Sequence, residues 1–245
     1  MMRGIFAVAK PVGITSAKVT NIIKAVLVKE ALTTDPDAGK RRGSSKIKVG
    51  HGGTLDKGAS GVLVIAVGED CKRLSAFLGS DKYYECVGKL GEATDTLDMD
   101  GEVVQETAWK HVSASGLSEA LRTKFTGKIS QTPPVYSALK HKGKRSSDLA
   151  RKGIVFTPAE REVTVYSARL MEFQPPYFTI SVHCSSGTYI RSIVHDLGQS
   201  VGSAAHVSKL CRTKQGPFDL SQALSESEWT YSKICRLIEK NNDRF

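Results

Sequence analysis

The sequence predicts an α+β fold on a mixed or mostly antiparallel central sheet flanked by helices, and two features of its patterning carry that expectation. Short apolar runs bounded by Gly and Pro read as strands; the clearest pair is Glu162–Phe173 and Tyr177–Cys184, joined through Gln-Pro-Pro as a hairpin would be. Between such runs lie isolated stretches with helical apolar spacing, and no internal repeat or low-complexity block organises them.

Taken in order, Gly4–Ala9 reads as a short buried strand stopped by Pro11. Thr15 or Ser16 then caps a helix whose apolar residues Val19, Ile22, Ile23, Val26 and Leu27 fall at i, i+3, i+4, i+7 and i+8. Residues 33–46 are polar, basic and glycine-containing, the composition of a mobile surface loop. The run Val62–Val67 has no polar alternation and reads as a strand buried on both faces. A helix near Asp70–Phe77 and a strand around Tyr83–Leu90 follow. Adjacent Pro133 and Pro134 break regular structure ahead of a basic segment. A helix over Tyr189–Val201 presents Ile190, Ile193, Val194 and Leu197 on one face, and a last helix lies near Trp229–Lys240.

Composition narrows the function. A chain of 245 residues is long enough for a sizeable core, and no apolar stretch approaches the roughly 20 residues needed to span a bilayer. The opening MMRGIFAVAKPVG has too short an apolar run for a secretory signal. Five scattered cysteines without a C-x-x-C pair suit a reduced compartment, and six histidines without H-E-x-x-H give no reason to expect a metal. The net charge of +10 favours an acidic partner, of which nucleic acid is the commonest. Much of it gathers in Lys140–Lys152, where Lys140, Lys142, Lys144, Arg145, Arg151 and Lys152 face only Asp148. Such a lobe neutralises several phosphates, or it is a solvated charged loop.

The stretch Val49–Gly68, VGHGGTLDKGASGVLVIAVG, poses the sharpest question: five glycines surround a single acid, Asp56, within twelve residues of one another. A phosphate-binding loop fails because Ala59 stands where the lysine of that motif belongs. A plain structural turn, with Asp56 as a cap, would satisfy the pattern. So would a loop kept bare so that a bulky ligand reaches Asp56, whose carboxylate then serves as nucleophile or base. That carboxylate would need a cation, and Arg191, at the opening of a helix after SSGTY, is a candidate whose planar fork could hold it.

Six blocks carry a family resemblance: KPVGITS (Lys10–Ser16), VGHGGTLD (Val49–Asp56), KYYECVGKLGEATDTLDMDG (Lys82–Gly101), QTPPVYSALK (Gln131–Lys140), SSGTYIRSIVHDLG (Ser185–Gly198) and RTKQGPF (Arg212–Phe218). In that order they resemble the TruB family of RNA pseudouridine synthases, its eukaryotic stand-alone members more than the bacterial ones. The resemblance implies the pseudouridine synthase fold over a single catalytic domain, 1–245, with a basic RNA-gripping insertion at about 131–161. It implies an isomerase that breaks the N1–C1′ bond of uridine and forms a C5–C1′ bond without cofactor or metal, on a nucleotide flipped from its stack. Asp56 matches the catalytic aspartate, Tyr84 the tyrosine that stacks on the uracil and acts as base, and Arg191 the arginine paired with the aspartate. His51 matches a histidine beside the target nucleotide, Tyr189 a pocket tyrosine and Leu210 a leucine lining the uracil site. Lys10 and Pro11 match a motif of structural support. Tyr83, next to Tyr84 on a strand, should face the opposite side.

This chain departs from the bacterial pattern after Asp56, where Lys57, Gly58, Ala59, Ser60 and Gly61 replace Pro-Leu-Ala-Thr-Gly, and at Ser146 and Ser147, where larger side chains are usual. Too little chain follows the last block for the family's C-terminal PUA domain, which argues against a guide-RNA-dependent enzyme. The expected partner is the T-arm of tRNA, modified at the family's uridine 55 site, with T-loop-like mRNA hairpins as further substrates. The basic lobe, through Lys142, Lys144 and Arg145, supplies phosphate contacts. A monomer in the nucleus or cytosol, with no membrane partner, completes the expectation. The rival is a tRNA-folding chaperone with secondary or lost catalysis.

Overall fold

The computed structural model describes residues 2–34, 47–141, 143–154 and 156–242. Along the chain run β1 (Gly4–Lys10), α1 (Ser16–Thr34), β2 (Val49–His51) and β3 (Ser60–Val67). A 3₁₀ turn (Gly68–Arg73) then leads into α2 (Leu74–Gly79). Next come β4 (Lys82–Leu90), β5 (Glu92–Thr94), β6 (Val103–Glu106), α3 (Ala114–Lys124), β7 (Gly127–Gln131), β8 (Lys140–His141), β9 (Lys144–Arg145) and α4 (Ser146–Ala150). The chain continues through β10 (Arg161–Gln174), β11 (Tyr177–Cys184), α5 (Ile190–Ser200), β12 (Ala205–Gln215), β13 (Phe218–Asp219) and α6 (Tyr231–Asn242). The fold class is α+β as expected, with mostly antiparallel pairing. Two compact units are formed, Met1–Ser80 with Arg212–Phe245, and Asp81–Cys211.

In the first unit β1 pairs antiparallel with β3, from Gly4 opposite Val67 to Lys10 opposite Gly61. The side-chain period of two sends Phe6, Val8, Leu63, Ile65 and Val67 to one face, where they meet Val19, Ile23 and Leu27 of α1 and Ile234 and Ile238 of α6. Ile5, Ala7, Val62, Val64 and Ala66 go to the other, against Leu74, Phe77 and Phe218. Both faces of β3 are therefore dry, which is why its sequence shows no alternation. Thr15 is the residue that caps α1: its hydroxyl accepts from the Lys18 amide at 3.1 Å. The helix runs on to Thr34, so the expected surface loop does not begin at 33; residues 35–46 lie outside the described residues.

In the second unit β11 pairs antiparallel with β4 and with β10, and β10 with β7. Buried positions alternate along β4, with Tyr84, Cys86 and Leu90 inside and Tyr83 and Glu85 outside. Gly88 holds that inner row open: a Cβ there would lie 2.2 Å from Phe178 Cζ, and Phe178 is fully buried. α3 and α5 pack on these strands through Leu117, Leu121, Ile193 and Leu197, all buried. The four apolar residues expected on one face of α5 are all buried, and Arg191, Ser192 and Gly198 are buried with them. The segment after Pro133 and Pro134 has no regular structure until the small β8–β9 pair and α4, inside the expected basic insertion.

Candidate active site

The residues singled out by the sequence divide between the units, with His51 and Asp56 in the first and Tyr84, Tyr189, Arg191, Leu210 and Lys144 in the second. Lys142 lies outside the described residues, and of Arg145 the structure describes the backbone, in β9.

In the first unit Asp56 sits half-buried on the loop between β2 and β3, and the carbonyls leading up to it and just beyond it are held. The Gly52 amide donates to the Val64 carbonyl at 2.8 Å. Arg212, at the end of β12, donates from Nη2 to the Gly53 carbonyl at 3.0 Å, from Nη1 to that of Thr54 at 3.5 Å, and from Nε to that of Val62 at 2.8 Å. The Ser16 hydroxyl accepts from the Leu55 amide at 2.8 Å and stands 3.1 Å from the Leu55 carbonyl. Beyond the acid, the Lys57 carbonyl accepts from the Gly13 amide at 2.9 Å and from Lys10 Nζ at 3.3 Å. A loop whose amides and carbonyls are fixed this way presents its one acid with little freedom left to lose.

Gly50, Gly52, Gly53 and Gly61 make room for the protein itself, a packing reason for four of the five glycines that does not call on a ligand. Cβ atoms at Gly50 and Gly52 would lie 2.8 Å from Leu74 Cδ1 and from Phe77 Cβ. One at Gly53 would lie 3.0 Å from Gln215 Nε2, and one at Gly61 only 2.2 Å from the Arg212 carbonyl. Gly61 also holds φ +109°, a backbone state that side chains rarely tolerate.

Lys10 is buried at the end of β1, with Nζ donating to the carbonyls of Ile14 at 2.7 Å, Pro11 at 2.8 Å and Lys57 at 3.3 Å. Its three donors are thus all used on backbone. Burial lowers its pKa to about 8, against the opposing pull of Asp56 and with a further push from Arg212. Burial, then the Arg212 charge, also lowers the His51 imidazole, whose buried Nδ1 has no hydrogen-bond partner among the described residues. Both effects favour the neutral form of His51.

A lysine that titrates lower in the folded chain than in the unfolded one leaves the unfolded state holding more protons through the interval between the two values. Its contribution to stability then rises with pH. Wild type should therefore gain urea stability relative to Lys10→Met on going from pH 7.5 to pH 10 (about 8 folded, 10.5 unfolded). Urea midpoints at the two pH values measure this, and a constant difference would show Lys10 titrating normally.

In the second unit Arg191 is buried at the start of α5 and makes contacts that the sequence did not disclose. Nη1 donates to the Thr96 carbonyl at 2.8 Å and lies 3.4 Å from Asp98 Oδ2, while Nη2 donates to the Tyr136 carbonyl at 2.9 Å. Asp98 lies within the block Lys82–Gly101, where no spacing marks it as the partner of Arg191. It is carried beside Leu97, which is held at φ 63° with its carbonyl accepting from the Val207 amide at 3.1 Å. A leucine in the left-handed region costs of order 1–3 kcal/mol, so the turn around Asp98 is over-determined by its surroundings.

Tyr189, half-buried, is fixed by the Gln131 amide, which accepts from its N–H at 2.8 Å and donates to its carbonyl at 3.0 Å; the Arg161 guanidinium lies 4.9 Å from its ring centroid. Tyr84 points into the buried face of β4, and Tyr83 to the other, stacked on His183 with ring centroids 3.9 Å apart. The expected opposition of the two tyrosines is what the strand imposes. Leu210 is half-buried on β12, and Lys144 is exposed on β9.

Residues 40–190 match the TruB family pseudouridylate synthase N-terminal domain. Over 246 residues the chain is 46% identical to pseudouridylate synthase TRUB1 of Homo sapiens, covering 100% of this chain and 70% of that protein. The chain belongs to the TruB family of pseudouridylate synthases. It is thereby an isomerase, as the resemblance implied. A bacterial TruB-family relative, tRNA pseudouridine synthase B of Geotalea uraniireducens, is 39% identical over 228 residues, covering 93% of this chain and 68% of that one. Among solved structures, a crystal structure of a Cbf5-Nop10-Gar1 complex holds a chain similar at TM-score 0.64 and 27% identity. The match covers 92% of this TruB-family chain, which spans about half, 53%, of that one.

Proposed function

We propose that this chain converts uridine to pseudouridine in the T-loop of tRNA, at the family's uridine 55 site, and in mRNA hairpins that fold like that loop. The observation that carries the reading is the whole-length similarity to pseudouridylate synthases, with a tRNA enzyme among the relatives, together with a fixed loop presenting Asp56. The uridine leaves its stack to reach the protein. Asp56 initiates departure of the base from C1′, Tyr84 stacks on the uracil, and Arg191 keeps the cationic role that the family resemblance implies for it. As C5 bonds to C1′, the C5 proton leaves to Tyr84 as base and N1 takes up a proton, so the product has the atoms of the substrate. His51, Tyr189 and Leu210 keep the base-binding roles that the family resemblance implies for each. Recognition rests on the folded shape of the loop and on phosphate contacts.

A T-arm hairpin alone should be converted, and the same hairpin with its loop sequence scrambled should not; equal conversion of both would remove loop shape from the account. Lys142, Lys144 and Arg145 form the phosphate grip. Replacing all three with Ala should weaken RNA binding, reduce the slope of log affinity against log salt by about 2, and spare turnover at saturating RNA. An unchanged slope would place the grip elsewhere.

A further inference from the structure

The motif RTKQGPF (Arg212–Phe218) has no part in the chemistry above, yet the structure turns its first and fourth residues onto the loop of the acid. Arg212 is 2% exposed and Gln215 fully buried, although neither type is ordinarily found so deep. Gln215 Nε2 donates to the Gly52 carbonyl at 2.5 Å and to that of Phe77 at 2.9 Å. With the three bonds of Arg212, the consecutive carbonyls of Gly52, Gly53 and Thr54 are all caught by one segment that lies some 160 residues further along the chain. We infer that Arg212, assisted by Gln215, is a positioning residue that sets the path of the Asp56 loop in register for the reaction.

The chemistry suits that task. A guanidinium offers five donors in a rigid plane, so one side chain spans carbonyls on both arms of the loop, before Asp56 and after it at Val62. An ammonium on a flexible stem cannot reproduce that fork. The glycines agree with this geometry: the backbone of Arg212 comes so close to Gly61, and the Gln215 amide so close to Gly53, that a side chain at either place would displace the clamp. Among the described residues no carboxylate pairs directly with Arg212, so its charge is left to act on the loop. It contributes, after burial, to lowering both the Lys10 ammonium and the His51 imidazole.

This inference rests on the proposed role of Asp56, and its test separates the two. Single-turnover rates and RNA affinities would be measured on a T-arm hairpin for wild type, Arg212→Lys, Gln215→Leu and Asp56→Asn, with thermal melts alongside. Arg212→Lys should fold and bind RNA with wild-type affinity while its rate falls about 10²-fold, the scale set by small misplacement of reacting groups. Gln215→Leu should show a smaller loss in rate, again without loss of affinity. A folded Arg212→Lys with the wild-type rate would overturn the proposal. So would a wild-type rate in Gln215→Leu, even were Arg212→Lys to fail to fold. A loss of affinity and rate together, with a lowered melting point, would assign Arg212 to general stability instead. Wild-type turnover in Asp56→Asn would fail the catalytic reading itself, whereas an inactive Asp56→Asn beside a fully active Arg212→Lys would fail the positioning role alone.

Discussion

Replacing Asp56 with Asn should lower the rate of pseudouridine formation on the order of 10⁴-fold or more, the scale expected when the group that starts a reaction is removed. The melting temperature should stay within a few degrees of wild type. The loop's backbone is held through the carbonyls of Gly52, Gly53, Thr54 and Lys57 and through both backbone groups of Leu55. None of these bonds uses the carboxylate, and Asn keeps its shape. One secondary effect follows from charge: Asp56 opposes the lowering of the Lys10 pKa, so the amide should let that lysine titrate further below about 8. Single-turnover kinetics and thermal melts measure the two parts separately. A rate within tenfold of wild type would remove Asp56 from the chemistry.

Gly61→Ala should destabilise the protein by about 3 kcal/mol or more, which ranks it among the severe single substitutions. Two costs combine. The residue sits at φ +109°, and forcing a side chain into such a conformation costs of order 1–3 kcal/mol. The new Cβ would also lie 2.2 Å from the Arg212 carbonyl and 2.7 Å from its amide nitrogen. These are main-chain atoms, which cannot swing away as a side-chain tip would, so the strands must move apart. Because Arg212 also carries the loop, the folded fraction should lose rate as well. Urea unfolding measures the first effect; a loss under 1 kcal/mol would mean the strand spacing there is far more compliant than drawn.

The strands that face two dry layers, and helices with one apolar stripe, were legible in the sequence. Val62–Val67 and the Ile190, Ile193, Val194, Leu197 stripe became elements where they were expected because burial alone decides them. α3 was not read: Ala114–Lys124 buries only Leu117, Ala120 and Leu121, too narrow a stripe for its polar composition, although Ser113 caps it by accepting from the Gly116 amide at 3.1 Å. β12 escaped for a different reason. Its inner residues include Arg212 and Gln215, polar side chains buried against loop carbonyls, and hydrophobic periodicity cannot register a position whose burial is satisfied by hydrogen bonds. The same blindness hid Asp98, whose partner Arg191 lies 93 positions further along the chain. Individual candidates in the site were legible through the family motifs. What held them, Ser16 on Leu55, Lys10 on Lys57 and Arg212 on Gly53, required the fold.

The central claim is that this chain isomerises one uridine in the T-loop of tRNA. Its most direct test is an unmodified tRNA transcript incubated with the wild-type chain and mapped for pseudouridine at single-nucleotide resolution. The account predicts a single new pseudouridine, at the T-loop uridine. A transcript bound tightly yet left with every uridine unchanged would contradict it and favour a chain that folds tRNA without modifying it.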